Sequence, residues 1–297
     1  MIFKKSKNPH LYYVLMLNLG MLFVSTSGVL GRYIALPPAV SIWFRSAIAL
    51  ALLVFYAKSK KMTFKIDWKK YGGAVIWSGF FMALHWITYF YALQWSNVAI
   101  GMLSLFTYPI ITVFLEPFFM KVQLQKRHLF LGVLILVGIY FLVPSFDLNN
   151  TSTQGVLIGL FSAVAYSLRN LILKKHHSMS NGSIQMIYQL GVISLLLLPV
   201  HWIYPEVSLS TQWPYLVLLG ALTTAVGHTL FLSSFSHFNI STASIMSSIQ
   251  PLFGVLMGVL FLSEIPDFKS IIGGVLILIT VILESSWTKN KKKDSIE

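Results

Sequence analysis

Long apolar segments alternate with short polar stretches along the whole chain. An α-helix rises about 1.5 Å per residue, so about 20 apolar residues cross the hydrocarbon core of a bilayer. The segments are continuous apolar runs, without the alternation that is typical of membrane β-strands. The pattern therefore predicts an all-α membrane protein with ten transmembrane helices, at 11–31, 39–57, 71–93, 98–120, 129–144, 155–173, 184–202, 214–236, 240–262 and 271–287.

The second half of the chain repeats a pattern from the first half. A constant shift along the sequence superimposes identical positions: Asn97 on Asn239, Pro109 on Pro251, and the pentapeptide 132–136 on 274–278. Apolar composition alone rarely places prolines and an unbroken pentapeptide in register, so we infer two copies of one unit. The predicted repeats are residues 1–148 and residues 149–297, the second with a basic C-terminal tail.

Each predicted repeat contains five helices. Because five is an odd number, the second repeat must enter the membrane from the opposite side, and the two repeats are inverted. Inverted repeats are common in secondary transporters, in which two similar halves exchange conformations around a central site. The repeat therefore predicts transport by alternating access.

Composition and charge support the membrane prediction. Hydrophobic residues make up 56% and charged residues 10% of the chain, whereas soluble proteins average about 25% charged. The basic clusters behind the net charge of +13 all fall on one side of the membrane if the helices alternate, at 4–7, 58–70, 121–127, 174–175 and 289–293. The positive-inside rule then places both termini in the cytoplasm, with anionic lipid headgroups rather than nucleic acid as the partner. The absence of cysteine excludes disulfides, thiolate nucleophiles and sulfur-ligated metals.

Two prolines in the middle of the predicted fourth and ninth helices indicate where a site lies. Pro109 and Pro251 each remove a backbone donor, and such breaks in a membrane helix are tolerated beside a cavity. We predict that both prolines act as hinges. The polar residues near them have two open interpretations, substrate binding or close helix packing: Ser104, Tyr108, Ser247 and Gln250.

Aromatic and polar residues crowd the middle of the predicted third helix. His85 and Tyr89 share a face beside Trp86, and His228 of the eighth helix aligns with Trp86 in the repeat. The histidines could bind substrate or only form hydrogen bonds between helices. A zinc or catalytic site would need a further ligand, and none is evident at their depth, so we expect neither a metal nor an enzyme.

Charged residues within the predicted helices are few. Arg45 could extend outward to the membrane surface or turn into a cavity, whereas Arg169 lies near the cytoplasmic end of its helix and is expected to extend toward the headgroups. Glu116 lies near the same boundary and completes the ionisable candidates. Facilitated diffusion and proton coupling both remain open, because the predicted helices carry no deep carboxylate.

The chain resembles the drug/metabolite transporter superfamily, specifically its ten-helix EamA-type members. The resemblance rests on a paired unit, in which a helix with a central proline ends near a glutamate and a glycine-led apolar helix follows. The second copy fits this unit with Pro251, the stretch 261–264 and the stretch 273–278. The first copy departs from it, because Val122 occupies the place that matches Glu264.

This resemblance implies a carrier of the bacterial cytoplasmic membrane, frequently an exporter of amino acids or related metabolites, that needs no cofactor. It does not fix the oligomeric state, and a monomer is compatible with it. It also implies a central cavity, and the substrate-binding candidates carried onto this sequence are Asn18, His85, Trp86, Tyr89, Ser104, Tyr108, Tyr166, Asn170, His228, Ser247 and Gln250.

We therefore expect a secondary transporter, an exporter, for a small and partly apolar metabolite. An aromatic cavity wall with few fixed charges suits zwitterions or neutral amphiphiles better than polyanions. A protein of a different class remains open, namely a membrane interaction or lipid-handling protein that moves no solute.

Overall fold

The computed structural model describes residues 9–120, 123–145, 147–176, 182–230 and 249–294, and the side chains of 12–284 within these ranges. Every regular element in these ranges is helical. The α-helices are α1 (Pro9–Tyr33), α2 (Pro38–Ser59), α3 (Trp68–Trp95), α4 (Val98–Leu105), α5 (Tyr108–Phe119), α6 (Lys126–Leu142), α7 (Thr151–Lys175), α8 (Gly182–Leu196), α9 (Val200–Ile203), α10 (Trp213–Leu218), α11 (Gln250–Leu262) and α12 (Phe268–Asp294). A π-helix, Leu219–His228, continues directly from α10.

Several of the helical stretches have the length and the surface of membrane-spanning segments. Large apolar side chains cover the outside of the bundle, where Phe55, Leu136 and Trp202 are 73%, 65% and 72% exposed. So extensive an apolar surface is unfavourable in water and stable in lipid. Six described stretches can cross a bilayer: Tyr12–Tyr33, Pro38–Ser59, Trp68–Trp95, Val98–Phe119, Thr151–Lys175 and Gly182–Ile203. The protein is therefore an all-helical, multi-pass membrane protein, as the apolar pattern predicts.

The predicted fourth span is divided into two helices. Asn97 caps α4, because its Oδ1 accepts a hydrogen bond from the backbone N of Ile100 at 2.8 Å. The helix ends at Leu105, and α5 begins at Tyr108, so that Pro109 is the second residue of α5. A proline is tolerated in the first turn because the backbone N–H there has no partner within the helix. The expected bend is thus a complete break just before the proline.

Pro251 has the same place at the start of α11. It is the second residue of the helix and follows Gln250. The chain before this point, 231–248, lies outside the described residues, and with it lie Asn239, the repeat counterpart of Asn97, and the candidate Ser247.

The predicted eighth span contains a π-helix that the sequence does not indicate. Leu219 begins ten residues of π-helix that end at His228. Its backbone hydrogen bonds reach one residue further than those of an α-helix, and Thr224 Oγ1 donates to the carbonyl of Leu219 at 3.1 Å. Wider turns of this kind are frequent at functional sites.

Helices from the two halves of the chain pack against each other. α3 lies along α7, α6 lies along α12, and α1 contacts both the π-helix and α11. Glycine allows one of these approaches to be very close. A Cβ added to Gly273 of α12 would lie 2.6 Å from the carbonyl oxygen of Gly138 in α6, so these two backbones touch.

Polar contacts join the two halves at both ends of the bundle. At one end, called here the Arg32 end, Glu264 accepts hydrogen bonds from Arg32 Nε and from the backbone N of Val98, each at 2.8 Å. At the opposite end, the Lys174 end, Lys174 of α7 forms an ion pair with Glu116 of α5. Glu116, an ionisable candidate from the sequence, therefore connects helices rather than facing a central site.

Candidate functional site

A cavity of about 60 Å³ lies inside the bundle, beside the break between α4 and α5 and beside the start of α11. Its walls come from α1, α2, α3, α7 and the π-helix as well as from these two points, so both halves of the chain contribute. The lining residues are Met21, Val24, Ser27, Arg45, Met82, His85, Trp86, Tyr89, Leu105, Phe106, Tyr108, Tyr166, His228 and Gln250.

Many of the substrate-binding residues expected from the sequence meet at this cavity. They are His85, Trp86, Tyr89, Tyr108, Tyr166, His228 and Gln250. All of them except Gln250 carry an aromatic or imidazole ring. Pro109 and Pro251 both adjoin the same space, because the lining residues Tyr108 and Gln250 immediately precede the two prolines.

Three other candidates lie elsewhere. Asn18 was expected to face the centre, but its amide donates to Val14 O at 2.8 Å and its side chain borders a groove on the side of the bundle near Phe253. Ser104 is fully buried and donates to Ile100 O of its own helix. Asn170 accepts a hydrogen bond from its neighbour Arg169 and is not among the lining residues.

Ser104 packs against α7, which gives a stability prediction. A Cβ added to Gly159 of α7 would lie 2.1 Å from Ser104 Oγ and 2.9 Å from Ser104 Cβ. Gly159→Ala should therefore destabilise the protein by about 1–3 kcal/mol. The expected result is a lower Tm in detergent, which a second substitution, Ser104→Gly, should partly restore by making room.

Gly191 of α8 provides the control for this pair, because an added Cβ there would meet no atom within 4 Å. Gly191→Ala should leave the Tm unchanged or raise it slightly, since alanine favours a helix more than glycine does. A Gly159→Ala variant as stable as Gly191→Ala would show that Ser104 does not pack as described.

His85 is held by a reciprocal pair of hydrogen bonds with α7. Its Nδ1 lies 2.8 Å from Ser162 Oγ, and the same hydroxyl donates to the carbonyl oxygen of His85 at 2.8 Å. A serine hydroxyl has one proton, so the bond to Nδ1 requires His85 to be the donor there. In a neutral imidazole the other ring nitrogen, Nε2, is then an acceptor. The described residues contain no group of three or more metal-ligating side chains around it.

Aromatic rings form a continuous wall on one side of the cavity. The ring of Tyr166 lies 4.5 Å from that of His85 and 4.8 Å from that of Tyr108, centre to centre. On the other side of His85, Tyr89 stacks at 6.0 Å. Contacts at these distances fix the rings against each other and present an apolar surface with a few polar edges. Such a wall suits the flat or branched apolar part of a small molecule.

Arg45 turns into the cavity instead of extending to the membrane surface. Its side chain is 1% exposed, and its guanidinium carbon lies 3.9 Å above the centre of the Trp86 ring. Its Nε donates to Thr224 Oγ1 of the π-helix at 2.7 Å. Both contacts fix the orientation of the guanidinium plane. Of the two orientations that the sequence left open, Arg45 therefore takes the one that turns into the cavity.

Arg169 is likewise held inside the protein. Its Nε donates to Gln189 Oε1 of α8 and its Nη1 to Asn170 Oδ1, each at 2.9 Å. These amides hold the guanidinium between helices, where the sequence favoured extension toward the headgroups. Arg169 is not among the lining residues of the cavity.

Sequence reasoning missed part of the lining. Met21, Val24 and Ser27 of α1 recur at intervals of three residues and so lie on one face, which was a readable signal. Leu105 and Phe106 line the cavity because the chain breaks there, and only their proximity to Pro109 pointed to them.

A helical membrane bundle with a polar and aromatic cavity beside an interrupted helix has the architecture of a transporter. Comparison with known proteins agrees with this class. The sequence profile of the EamA-like transporter family matches residues 11–143 and 153–286, and the chain belongs to this family.

Curated relatives of the chain carry transporter names. An uncharacterized transporter of Archaeoglobus fulgidus is 27% identical over 189 residues, which are 63% of this chain and 67% of the relative. The Pseudopaline exporter CntI of Pseudomonas aeruginosa is 24% identical over 182 residues, 61% of this chain and 63% of that protein. An uncharacterized transporter of Clostridium kluyveri is 31% identical over 48% of this chain and 47% of its own length. The matches thus span about two thirds or less of these relatives.

The fold also occurs among solved structures. A crystal structure of another protein superposes with a TM-score of 0.66 at 17% identity. The superposition covers 94% of this chain and 98% of that one. At this identity, the likeness concerns the fold alone.

Proposed function

We propose that the protein is a secondary transporter that moves a small, partly apolar metabolite, such as an amino acid or a related amphiphile, across the cytoplasmic membrane by alternating access. The observation that carries the proposal is the central cavity, which both halves of the chain line beside Pro109 and Pro251. The exporter name of one relative supports outward transport. Under this proposal, the protein is a carrier rather than an enzyme.

An architecture of two inverted five-helix repeats is part of this proposal. Under the sequence repeat, α7 corresponds to α1, the π-helix segment to α3, and α11 to α5. The packing agrees with this correspondence. α3 and α5 both contact α7, and their counterparts, the π-helix and α11, both contact α1, the counterpart of α7. If both termini are cytoplasmic, as the basic clusters favour, the Arg32 end faces outward and the Lys174 end faces inward.

The size of the cavity supports alternation between two open states. About 60 Å³ holds a few water molecules, whereas binding pockets for small molecules measure about 300–1,000 Å³. A metabolite can therefore enter only if helices separate. The inter-half contacts at the Arg32 end and the Lys174 end are the ones that such a movement would break in turn.

Flux through the purified protein in liposomes tests the proposal. We expect His85→Ala and Gln250→Ala to lower the transport of a substrate found in a panel of labelled amino acids, organic acids and neutral amphiphiles by about tenfold or more. Each substitution removes a polar group from the cavity wall, and His85→Ala also removes the hydrogen bond between Nδ1 and Ser162 of α7. Folded yield and elution volume should stay close to those of the parent protein.

Asn18→Ala is the matched control, because Asn18 lies outside the cavity and bonds only to its own helix in the described structure. It should transport normally. If His85→Ala and Gln250→Ala lose folded protein instead of activity, these residues serve packing. If no solute moves while labelled lipid exchanges between leaflets, the protein handles lipids and the transporter proposal fails.

A further inference from the structure

The guanidinium of Arg45 is buried with part of its hydrogen-bonding capacity unused. Its Nε donates a hydrogen bond to Thr224 Oγ1, and the Trp86 ring covers one face of the guanidinium. Its Nη1 has no hydrogen-bond partner among the described residues. We propose that Arg45 binds the carboxylate of the transported molecule, so that the substrate class is a small carboxylate with an apolar or aromatic body. This inference rests on the proposed transport function and specifies its substrate.

No described acidic side chain pairs with Arg45. Glu264 pairs with Arg32, Glu284 with His128 and Glu116 with Lys174. The stretch 231–248, which lies outside the described residues, contains no aspartate or glutamate. No acidic residue lines the cavity either.

A buried cation without an anion is costly, because desolvation of an ion is compensated only by a well-placed opposite charge. Hydrogen bonds and a ring face compensate in part, and a bound carboxylate would complete the compensation. A guanidinium whose plane is fixed by Trp86 and Thr224 is suited to this task, since its donors match the two oxygens of a carboxylate.

His228 supplies a second donor on the same wall. Its Nε2 has no hydrogen-bond partner within the described ranges, and its ring lies 6.3 Å from the Trp86 ring on which Arg45 stacks. A neutral histidine can donate from this nitrogen. With one arginine and no lysine in the lining, the site suits a carboxylate of one charge better than a phosphate, which carries about −1.5 to −2.

The other lining residues indicate the chemistry of the substrate beyond its carboxylate. Tyr108, Tyr166 and His85 form the ring wall described above, and Met21 and Met82 add apolar surface to the lining. A substrate ammonium would find no carboxylate there and could only contact ring faces and polar edges. The cavity therefore favours an anion over a cation of the same shape.

Three probes with the same phenyl body and different charge test this proposal on the full chain in nanodiscs: phenylacetate, its neutral isostere phenylacetamide, and the cation phenethylamine. Phenylacetate should raise the Tm with saturation, while the amide and the amine should not. Arg45→Gln should raise the phenylacetate concentration needed for the same rise in Tm by about ten- to a hundredfold. Arg45→Lys should raise it less, because lysine keeps the positive charge but lacks the paired donors of the guanidinium. Lys60→Gln removes one positive charge at an exposed site and should change nothing.

Several results would overturn the inference. These are an equal rise in Tm with the amide or the amine, a phenylacetate effect that survives Arg45→Gln, no effect of any probe, or an equal effect of sodium chloride. If Arg45→Gln does not fold, the three probes still test the proposal on the parent protein and on Arg45→Lys. Flux of labelled phenylacetate into liposomes is measured separately, so that binding without flux contradicts the transport function and leaves the carboxylate site in place.

Discussion

Replacing Gly273 with leucine should destabilise the protein by about 3 kcal/mol or more. The Cβ alone would lie 2.6 Å from the carbonyl oxygen of Gly138 and 3.1 Å from the backbone N of Leu142. Both neighbours are backbone atoms of α6, so neither can rotate away as a side chain could. The leucine must push α6 and α12 apart, and this contact joins the two halves of the chain.

The expected measurements are a large fall in the monodisperse yield after detergent extraction and a lower Tm for the fraction that remains. Gly191→Leu is the control at a helical glycine of α8 where an added Cβ meets no atom within 4 Å. It should not be destabilised, because leucine favours a helix over glycine. Equal yields and Tm values for the two variants would contradict the close contact of α6 with α12.

The membrane helices could be predicted from the sequence because lipid imposes a simple rule. Each span needs enough apolar residues to cross the hydrocarbon core, and backbone groups must bond within the span. The cap at Asn97 and the break near Pro109 also follow from local chemistry, since each depends on one residue and its neighbours.

Which face of each helix points inward could be predicted only in part. Asn18 and Arg45 are both polar residues in apolar helices, and both were candidates for the centre. Asn18 is satisfied by the carbonyl of Val14 and stays at the side, whereas Arg45 meets Thr224 and Trp86 in the interior. The difference depends on partners from other helices, which a single segment does not reveal.

The π-helix had no visible signal in the sequence. Its effect is nevertheless central, because it places Thr224 against Arg45 and His228 in the cavity wall. The π-helix also packs closely on α2 at Gly220, where an added Cβ would lie 2.8 Å from the Ile48 side chain. The role of a glycine at such a contact can be recognised only when the positions of both helices are known.

A pair of cysteines at Val98 and Gly258 should stop transport almost completely when oxidised. A Cβ added to Gly258 of α11 would lie 3.1 Å from the Cβ of Val98 in α4, and disulfide-bonded residues have Cβ atoms about 3.5–4.5 Å apart. A shift of a few tenths of an ångström is enough to form the bond. The native chain has no cysteine, so the introduced pair would be the only thiols present.

The reason for the expected loss is that this bond ties the two halves together at the Arg32 end. Glu264 accepts hydrogen bonds from Arg32 and from the backbone N of Val98 at the same place, and these bonds can break and re-form. A disulfide cannot. If alternating access requires the Arg32 end to open, the covalent link holds it shut and flux should fall to the background of empty liposomes.

Reduction with dithiothreitol should restore flux in the double variant, and each single cysteine variant should be insensitive to oxidant. This reversal separates a trapped transporter from a misfolded one, because a misfolded protein would not regain activity. Full transport by the oxidised pair, with the crosslink verified by mass spectrometry, would mean that α4 and α11 do not separate here. Substrate would then leave the cavity without opening this end, and alternation between the two ends would have to be abandoned.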